Sequence, residues 1–92
     1  MSMMKTEEKK RLGRRLKVIE GQVRGLQKMI ENEKYCIDVI TQSSAIRHSI
    51  SSFEDVVLEA HLSTCTVNQI KAGKPSKATQ EILNVYKLAK KK

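Results

Sequence analysis

Residues 35–64 of this 92-residue chain contain neither glycine nor proline. Apolar residues recur there at helical spacing, with no period-two alternation, so the sequence predicts one long helix. A helix of about 30 residues is about 45 Å long. A compact monomer of this chain length has a radius of gyration of about 12 Å and a diameter of about 30 Å. The helix therefore exceeds a compact monomer, and its apolar stripe predicts an oligomer in which another subunit covers it.

One further helix is predicted before it and one after it. The expected fold is an all-α, three-helix chain that forms a single domain over residues 1–92. The first spans residues 6–31, with Thr6 as a candidate cap and Glu7 and Glu8 in the first turn. Residues 32–34 break the chain, and the second helix follows over residues 35–65. Gly73 and Pro75 mark the next turn, after which a third helix is predicted over residues 76–90.

The first helix combines a narrow apolar seam with a row of cations on the opposite side. The seam alternates spacings of four and three residues, which is typical of a helix packed against another: Leu12, Leu16, Ile19, Val23, Leu26 and Ile30. The opposite row consists of Lys10, Arg14, Lys17, Arg24 and Lys28, while Arg11 and Arg15 flank the seam. Such a row is either a solvated face or a surface for DNA phosphates. It contains no acidic residue, which favours phosphate contact.

The net charge of +8 is unevenly distributed along the chain. Residues 1–28 carry nine Lys or Arg and three Glu, residues 29–65 carry two basic and six acidic residues, and residues 66–92 carry seven Lys and one Glu. A basic balance favours nucleic acid or an anionic surface. The narrow seam and the absence of Trp disfavour the membrane surface, and only three aromatic residues disfavour stacking on single-stranded bases.

Other classes of protein are excluded as first interpretations. No apolar run is long enough to span a bilayer, and no secretion signal is recognisable. Two cysteines are too few for a disulfide scaffold, so a reducing cytoplasm is the expected location. A Cys–His pair could activate a nucleophile, but no third orienting group stands at a telling spacing and no Gly-rich phosphate loop is present. We therefore do not expect an enzyme.

Three side chains are soft or borderline metal ligands: Cys36, His61 and Cys65. His61 and Cys65 are four residues apart and share one helix face. Cys36 precedes His61 by 25 residues, which on a helix is about 37 Å, so it cannot join them within one chain. Two such helices packed antiparallel would bring Cys36 of one subunit to His61 and Cys65 of the other, giving a two-fold dimer two identical sites.

Two thiolates and one imidazole favour Cu(I), because Zn(II) usually takes four ligands. The alternative is that Cys36 and Cys65 are small buried apolar residues and that His61 is an ordinary polar side chain. His48 has no Cys, His or carboxylate four residues away. It is interpreted as structural or solvent-facing.

Three segments, in this order and spacing, carry a family resemblance that covers nearly the whole chain. Residues 15–26 read RLKVIEGQVRGL, residues 35–42 read YCIDVITQ, and the third segment contains His61, Leu62 and Cys65. Together they resemble the copper-sensitive operon repressor (CsoR) family. The resemblance implies a three-helix protomer, an antiparallel four-helix-bundle dimer and a dimer-of-dimers tetramer. It also implies that the metal-free protein binds operator DNA, without a helix-turn-helix, and releases it when the inducer binds.

The ligand positions resemble those of the Cu(I)-sensing branch, in which one subunit supplies the Cys and its partner supplies the His and the second Cys. His61 argues against the persulfide-sensing branch and Cys65 against the formaldehyde-sensing branch. Tyr35 and Glu81 match positions that couple Cu(I) binding to DNA release, through hydrogen bonds to the ring nitrogen of His61 that is not bound to the metal. Some copper sensors carry a basic residue where this chain has Ser52, and the nearest cation here is Arg47.

The leading hypothesis is a cytoplasmic Cu(I)-responsive repressor whose DNA surface includes Lys10, Arg11, Arg14, Arg15, Lys17, Arg24 and Arg47. One alternative is a persulfide-sensing repressor of the same family, which links Cys36 to Cys65 of another subunit. The other is a copper-buffering protein that does not regulate DNA.

Overall fold

The computed structural model describes residues 5–90 and is helical over almost all of them. The helices are α1 (Thr6–Glu31), α2 (Cys36–His61), α3 (Val67–Lys71) and α4 (Pro75–Lys90), with a π-helical turn at Leu62–Thr66 between α2 and α3. The prediction of an all-α fold is confirmed over these residues. Residues 1–4 and 91–92, which the single-domain prediction includes, lie outside them.

Helices α1 and α2 form an antiparallel hairpin, because a short turn connects them and they pack along their lengths. Leu12 and Ile19 of the predicted seam are buried, together with Ile46 on α2. Thr6 is the first residue of α1 rather than its cap. Lys5 takes the cap position and makes no side-chain cap hydrogen bond, because an ammonium group has no acceptor.

The second helical segment continues beyond its predicted end at residue 65. The π-helical turn and α3 prolong the path of α2 to Lys71, and the residues at both junctions keep right-handed helical angles. Nothing interrupts helix formation before Gly73, whose φ of 78° lies in the left-handed region that glycine adopts without strain.

Both interhelical turns end the preceding helix with the same pair of backbone hydrogen bonds. After α1, the Lys34 amide donates to the Met29 carbonyl at 2.9 Å and the Glu33 amide to the Ile30 carbonyl at 3.1 Å. After α3, the Lys74 amide donates to the Gln69 carbonyl at 2.8 Å and the Gly73 amide to the Ile70 carbonyl at 3.0 Å. This Schellman arrangement needs a left-handed residue just past the helix end. Gly73 supplies it after α3, but after α1 the residue is Glu33, with φ of 52°.

Glu33→Gly is therefore expected to stabilise the protein by about 0.5–1 kcal/mol per subunit, because glycine removes the cost of a side chain in the left-handed region. Chemical denaturation at matched protein concentration measures the change. Gly73→Ala is the mirror control and should destabilise by a similar amount. Equal or lower stability of Glu33→Gly would contradict the expectation.

The described chain is flat and elongated, with a Cα radius of gyration of 17.3 Å and extents of 56 × 31 × 14 Å. Five apolar residues are buried, while sixteen large ones are exposed among residues 5–90. Leu16, Val23 and Ile30, half of the predicted α1 seam, are among the exposed residues. Within residues 5–90, no helix combines the length and the apolar composition that a transmembrane span requires.

Candidate metal centre and nucleic-acid interface

His61 and Cys65 lie where the α2 helix gives way to the π-helical turn. His61 is the last residue of α2, Cys65 lies within the turn, and both are partly buried. The sequence did not predict the change in helix type. Single π-helical turns occur frequently at functional sites, where they alter the direction in which side chains point.

Two hydroxyl side chains support the backbone around this turn. The Thr64 hydroxyl donates to the Ala60 carbonyl at 2.6 Å, and the Ser63 hydroxyl lies 3.0 Å from the Glu59 carbonyl and 3.2 Å from that of Ala60. Thr64 Oγ1 also lies 3.9 Å from Cys65 Sγ. A π-helical turn displaces the regular i→i−4 ladder, and hydroxyl groups satisfy carbonyls at such irregularities. Ser63 and Thr64 thus lie where the α-helix changes to a π-helical turn.

Cys36 lies at the opposite end of α2, as the first residue of that helix, and is exposed. The helical rise places it about 37 Å from His61. No group of three His, Cys, Asp or Glu within residues 5–90 of one chain could hold a metal. Tyr35, immediately before α2, is also at that distant end and is 68% exposed. A three-ligand site made from these residues therefore requires a second chain.

Glu81 of α4 faces His61. Its Oε1 atom lies 3.7 Å from His61 Nε2, and the side chains are 40% and 25% exposed. The same oxygen accepts a hydrogen bond from Gln69 Nε2 at 2.7 Å. The sequence interpretation included Glu81 but not Gln69. The available signal was spacing, since Gln69 lies four residues after Cys65 and eight after His61, on a similar helix face.

An apolar cleft lies beside this contact, between α2 and α4. Its volume is about 460 Å³, and Phe53, Val57, Leu58 and Val85 line it together with His61 and Glu81. His61 thus shares this largely apolar cleft with the Glu81 carboxylate.

All seven residues predicted to bind DNA are exposed: Lys10, Arg11, Arg14, Arg15, Lys17, Arg24 and Arg47. Arg24 differs from the others because its guanidinium pairs with Glu20 at 3.1 Å, one turn earlier on α1. Arg24 therefore offers less free positive charge than Arg14 or Lys17, an effect that the row of cations alone did not reveal.

His48 is exposed and lines two neighbouring clefts of the α1–α2 hairpin. It lines one cleft with Arg15 and Ser52 between α1 and α2, and a neighbouring cleft with Arg47. The sequence interpretation treated His48 as structural or solvent-facing. The structure shows His48 exposed, in agreement with the solvent-facing interpretation, in clefts that also contain Arg15, Arg47 and Glu54.

Comparison with known proteins then decides the family. A family model described as metal-sensitive transcriptional repressor matches residues 8–88. The chain belongs to this family. The metal-sensitive repressors are transcription regulators rather than enzymes, and their partner is DNA.

Individual relatives of this metal-sensitive repressor are copper sensors by name. The copper-sensing transcriptional repressor CsoR of Bacillus subtilis is 42% identical over 82 residues, covering 89% of this chain and 81% of the relative. RicR of Mycobacterium tuberculosis, also named a copper-sensing transcriptional repressor, is 44% identical over 70 residues, 76% and 73% of the two chains. The crystal structure of CsoR with Cu(I) from Geobacillus thermodenitrificans superposes with a TM-score of 0.91 at 38% identity, covering 99% of this chain and 95% of that one.

Proposed function

We propose that this repressor responds to Cu(I): it binds operator DNA in the metal-free state and releases the DNA when Cu(I) binds. The observation that carries the proposal is the pairing of His61 and Cys65 at the π-helical turn, with the carboxylate of Glu81 facing the ring of His61. The similarity to copper-sensing repressors over most of the chain supports the choice of metal. We further propose that residues 1–92 act as one domain in the cytoplasm.

The donor set fits a soft monovalent ion. Cys36 and Cys65 are both free thiols, and two thiolates with one imidazole form the low-coordinate set that Cu(I) prefers. Cys36 of one subunit would bind together with the partner subunit's His61 and the partner subunit's Cys65. Because Nε2 of His61 faces Glu81, the Nδ1 atom is the one we assign to the metal, with Glu81 orienting the ring.

An oligomer is part of this proposal. The ligand geometry needs two chains, and the exposed apolar residues of α1, α2 and α4 offer the surface for pairing. We propose the antiparallel four-helix-bundle dimer, assembled as a dimer of dimers, because it covers the α2 stripe and brings each Cys36 to the other chain's turn. Tyr35, next to Cys36, then lies near the partner subunit's His61.

The exposed cations of α1, with Arg47 on α2, form the proposed operator surface. They contact phosphates, so operator affinity should fall steeply with salt. Cu(I) binding and DNA binding share one free-energy coupling, and DNA must weaken Cu(I) binding by the same factor by which Cu(I) weakens DNA binding.

An anaerobic titration tests the proposal. Cu(I) added to the protein should produce near-ultraviolet thiolate-to-copper absorption, and fluorescence anisotropy should show operator release over the same equivalents. Cys36→Ala and Cys65→Ala should lose both responses. Unchanged operator affinity with copper would contradict the proposal, and no salt-dependent operator binding would indicate a copper buffer instead. A covalent interchain species after treatment with a sulfide donor, without a copper response, would favour the persulfide-sensing repressor.

A further inference from the structure

Gln69 connects the segment that carries His61 and Cys65 to helix α4 through one hydrogen bond and to the turn before α4 through another. Its side-chain Nε2 donates to Glu81 Oε1 at 2.7 Å. Its backbone carbonyl accepts from the Lys74 amide at 2.8 Å, in the turn just before α4. One residue of α3 is therefore bonded both to the turn before α4 and to a side chain in the middle of α4.

The side-chain bond fixes the carboxylate that faces His61. Glu81 Oε1 accepts from Gln69 and is also the atom that lies 3.7 Å from His61 Nε2. Glu81 is 40% exposed, so without a fixed donor its carboxylate could rotate toward solvent. A hydrogen bond to an ionised acceptor is stronger and more directional than one between neutral groups.

The other polar atom of the Gln69 side chain, Oε1, has no partner among the described residues in this position. Its Oε1 atom is buried and makes no hydrogen bond within residues 5–90, as is also true of the Thr66 hydroxyl one turn earlier. Leaving a buried acceptor unpaired is unfavourable. The Gln69 amide thus points Nε2 toward Glu81 although its Oε1 atom makes no hydrogen bond there with any described residue.

We infer that Gln69 is a positioning residue for the response to the inducer: it holds Glu81 against His61 and so transmits the state of the His61 ring to α4. This inference rests on the proposed function. Gln69 itself binds neither the metal nor DNA. Its loss should leave both binding events possible and weaken the coupling between them.

The test is the ratio of operator dissociation constants with and without Cu(I), measured by anisotropy for the full-length protein. In Gln69→Leu this ratio should fall at least about fivefold, because coupling energies in allosteric proteins are of that order. Copper stoichiometry and metal-free operator affinity should remain near the wild-type values. Gln69→Glu, which keeps the shape but places a second carboxylate beside Glu81, should reduce the ratio as well and serves if the leucine variant does not fold.

Gln80→Leu is the matched control. Gln80 also donates a side-chain hydrogen bond, to Asn84 Oδ1 at 3.0 Å, but within α4 alone and on an exposed face. Its removal should leave the ratio unchanged. A variant cycle separates positioning from a general structural effect, because Gln69→Leu should add no further loss in a Glu81→Ala background.

Hydrogen exchange without copper gives an independent measurement. Amides of α4 around Glu81 should exchange faster in Gln69→Leu than in the wild type and in Gln80→Leu. Wild-type coupling in Gln69→Leu, or a loss that adds fully to that of Glu81→Ala, would overturn the inference on Gln69 alone. A wild-type ratio of one would overturn the proposed function, and unchanged exchange in α4 would then overturn the Gln69 link too.

Discussion

Mixing Cys36→Ala subunits with Cys65→Ala subunits is expected to restore the Cu(I) binding that neither variant has alone. In an antiparallel dimer each site takes Cys36 from one subunit and His61 and Cys65 from the other. A mixed dimer therefore contains one complete site, made from the intact Cys36 of one variant and the intact turn of the other. Its second site lacks both cysteines, so we expect about half the wild-type copper per dimer.

Two affinity tags allow the mixed dimer to be isolated after co-expression, and thiolate-to-copper absorption measures its copper content. The matched control is a mixed dimer of His61→Ala and Cys65→Ala. Each site takes His61 and Cys65 together from one subunit, and each of these two variants lacks one member of that pair. Neither site is then complete, and binding should remain lost. Restoration in the control, or none in the first mixture, would contradict the site between subunits.

Reversing two cations of α1 should produce the other large effect. Arg14→Glu with Lys17→Glu is expected to weaken operator binding at least about 100-fold, because each phosphate contact contributes a salt-dependent term and several subunits carry the change. The slope of log affinity against log salt should also become shallower. Copper stoichiometry should stay at the wild-type value, since both residues are remote from the α2–α3 junction.

The control for net charge is Lys34→Glu with Lys87→Glu, which changes the charge equally but alters no residue of the predicted row. Its effect should be much smaller, and equal losses in the two proteins would indicate long-range attraction without a defined surface. Within the row, Arg24→Glu should cost less than Arg14→Glu, because Arg24 already pairs with Glu20 at 3.1 Å.

Much of the fold followed from helical periodicity and from a few turn residues. The break at residues 32–34 and the turn around Gly73 appear in the structure, and Leu12 and Ile19 of the α1 seam are buried in it. The prediction failed where local preference was weak or contradicted. The second helical segment was predicted to end at residue 65, which was too early. No residue between Cys65 and Lys71 breaks a helix, so the helical path continues to Lys71. A left-handed Glu33 was not foreseen because that conformation is unfavourable for glutamate.

Helical periodicity and spacing were enough to establish that the chain is all-α, that Cys36 is too far along its helix to join His61 and Cys65, and that cations occupy one side of α1. These conclusions need only the rise and period of an α-helix, which are local properties. The tertiary structure was needed to show that Gln69 donates to Glu81 and that His48 shares a cleft with Arg15, and it places Glu81 3.7 Å from His61, a proximity that only the family resemblance had implied. Such contacts join residues on different helices, so they depend on how the helices pack, which no spacing along one helix specifies.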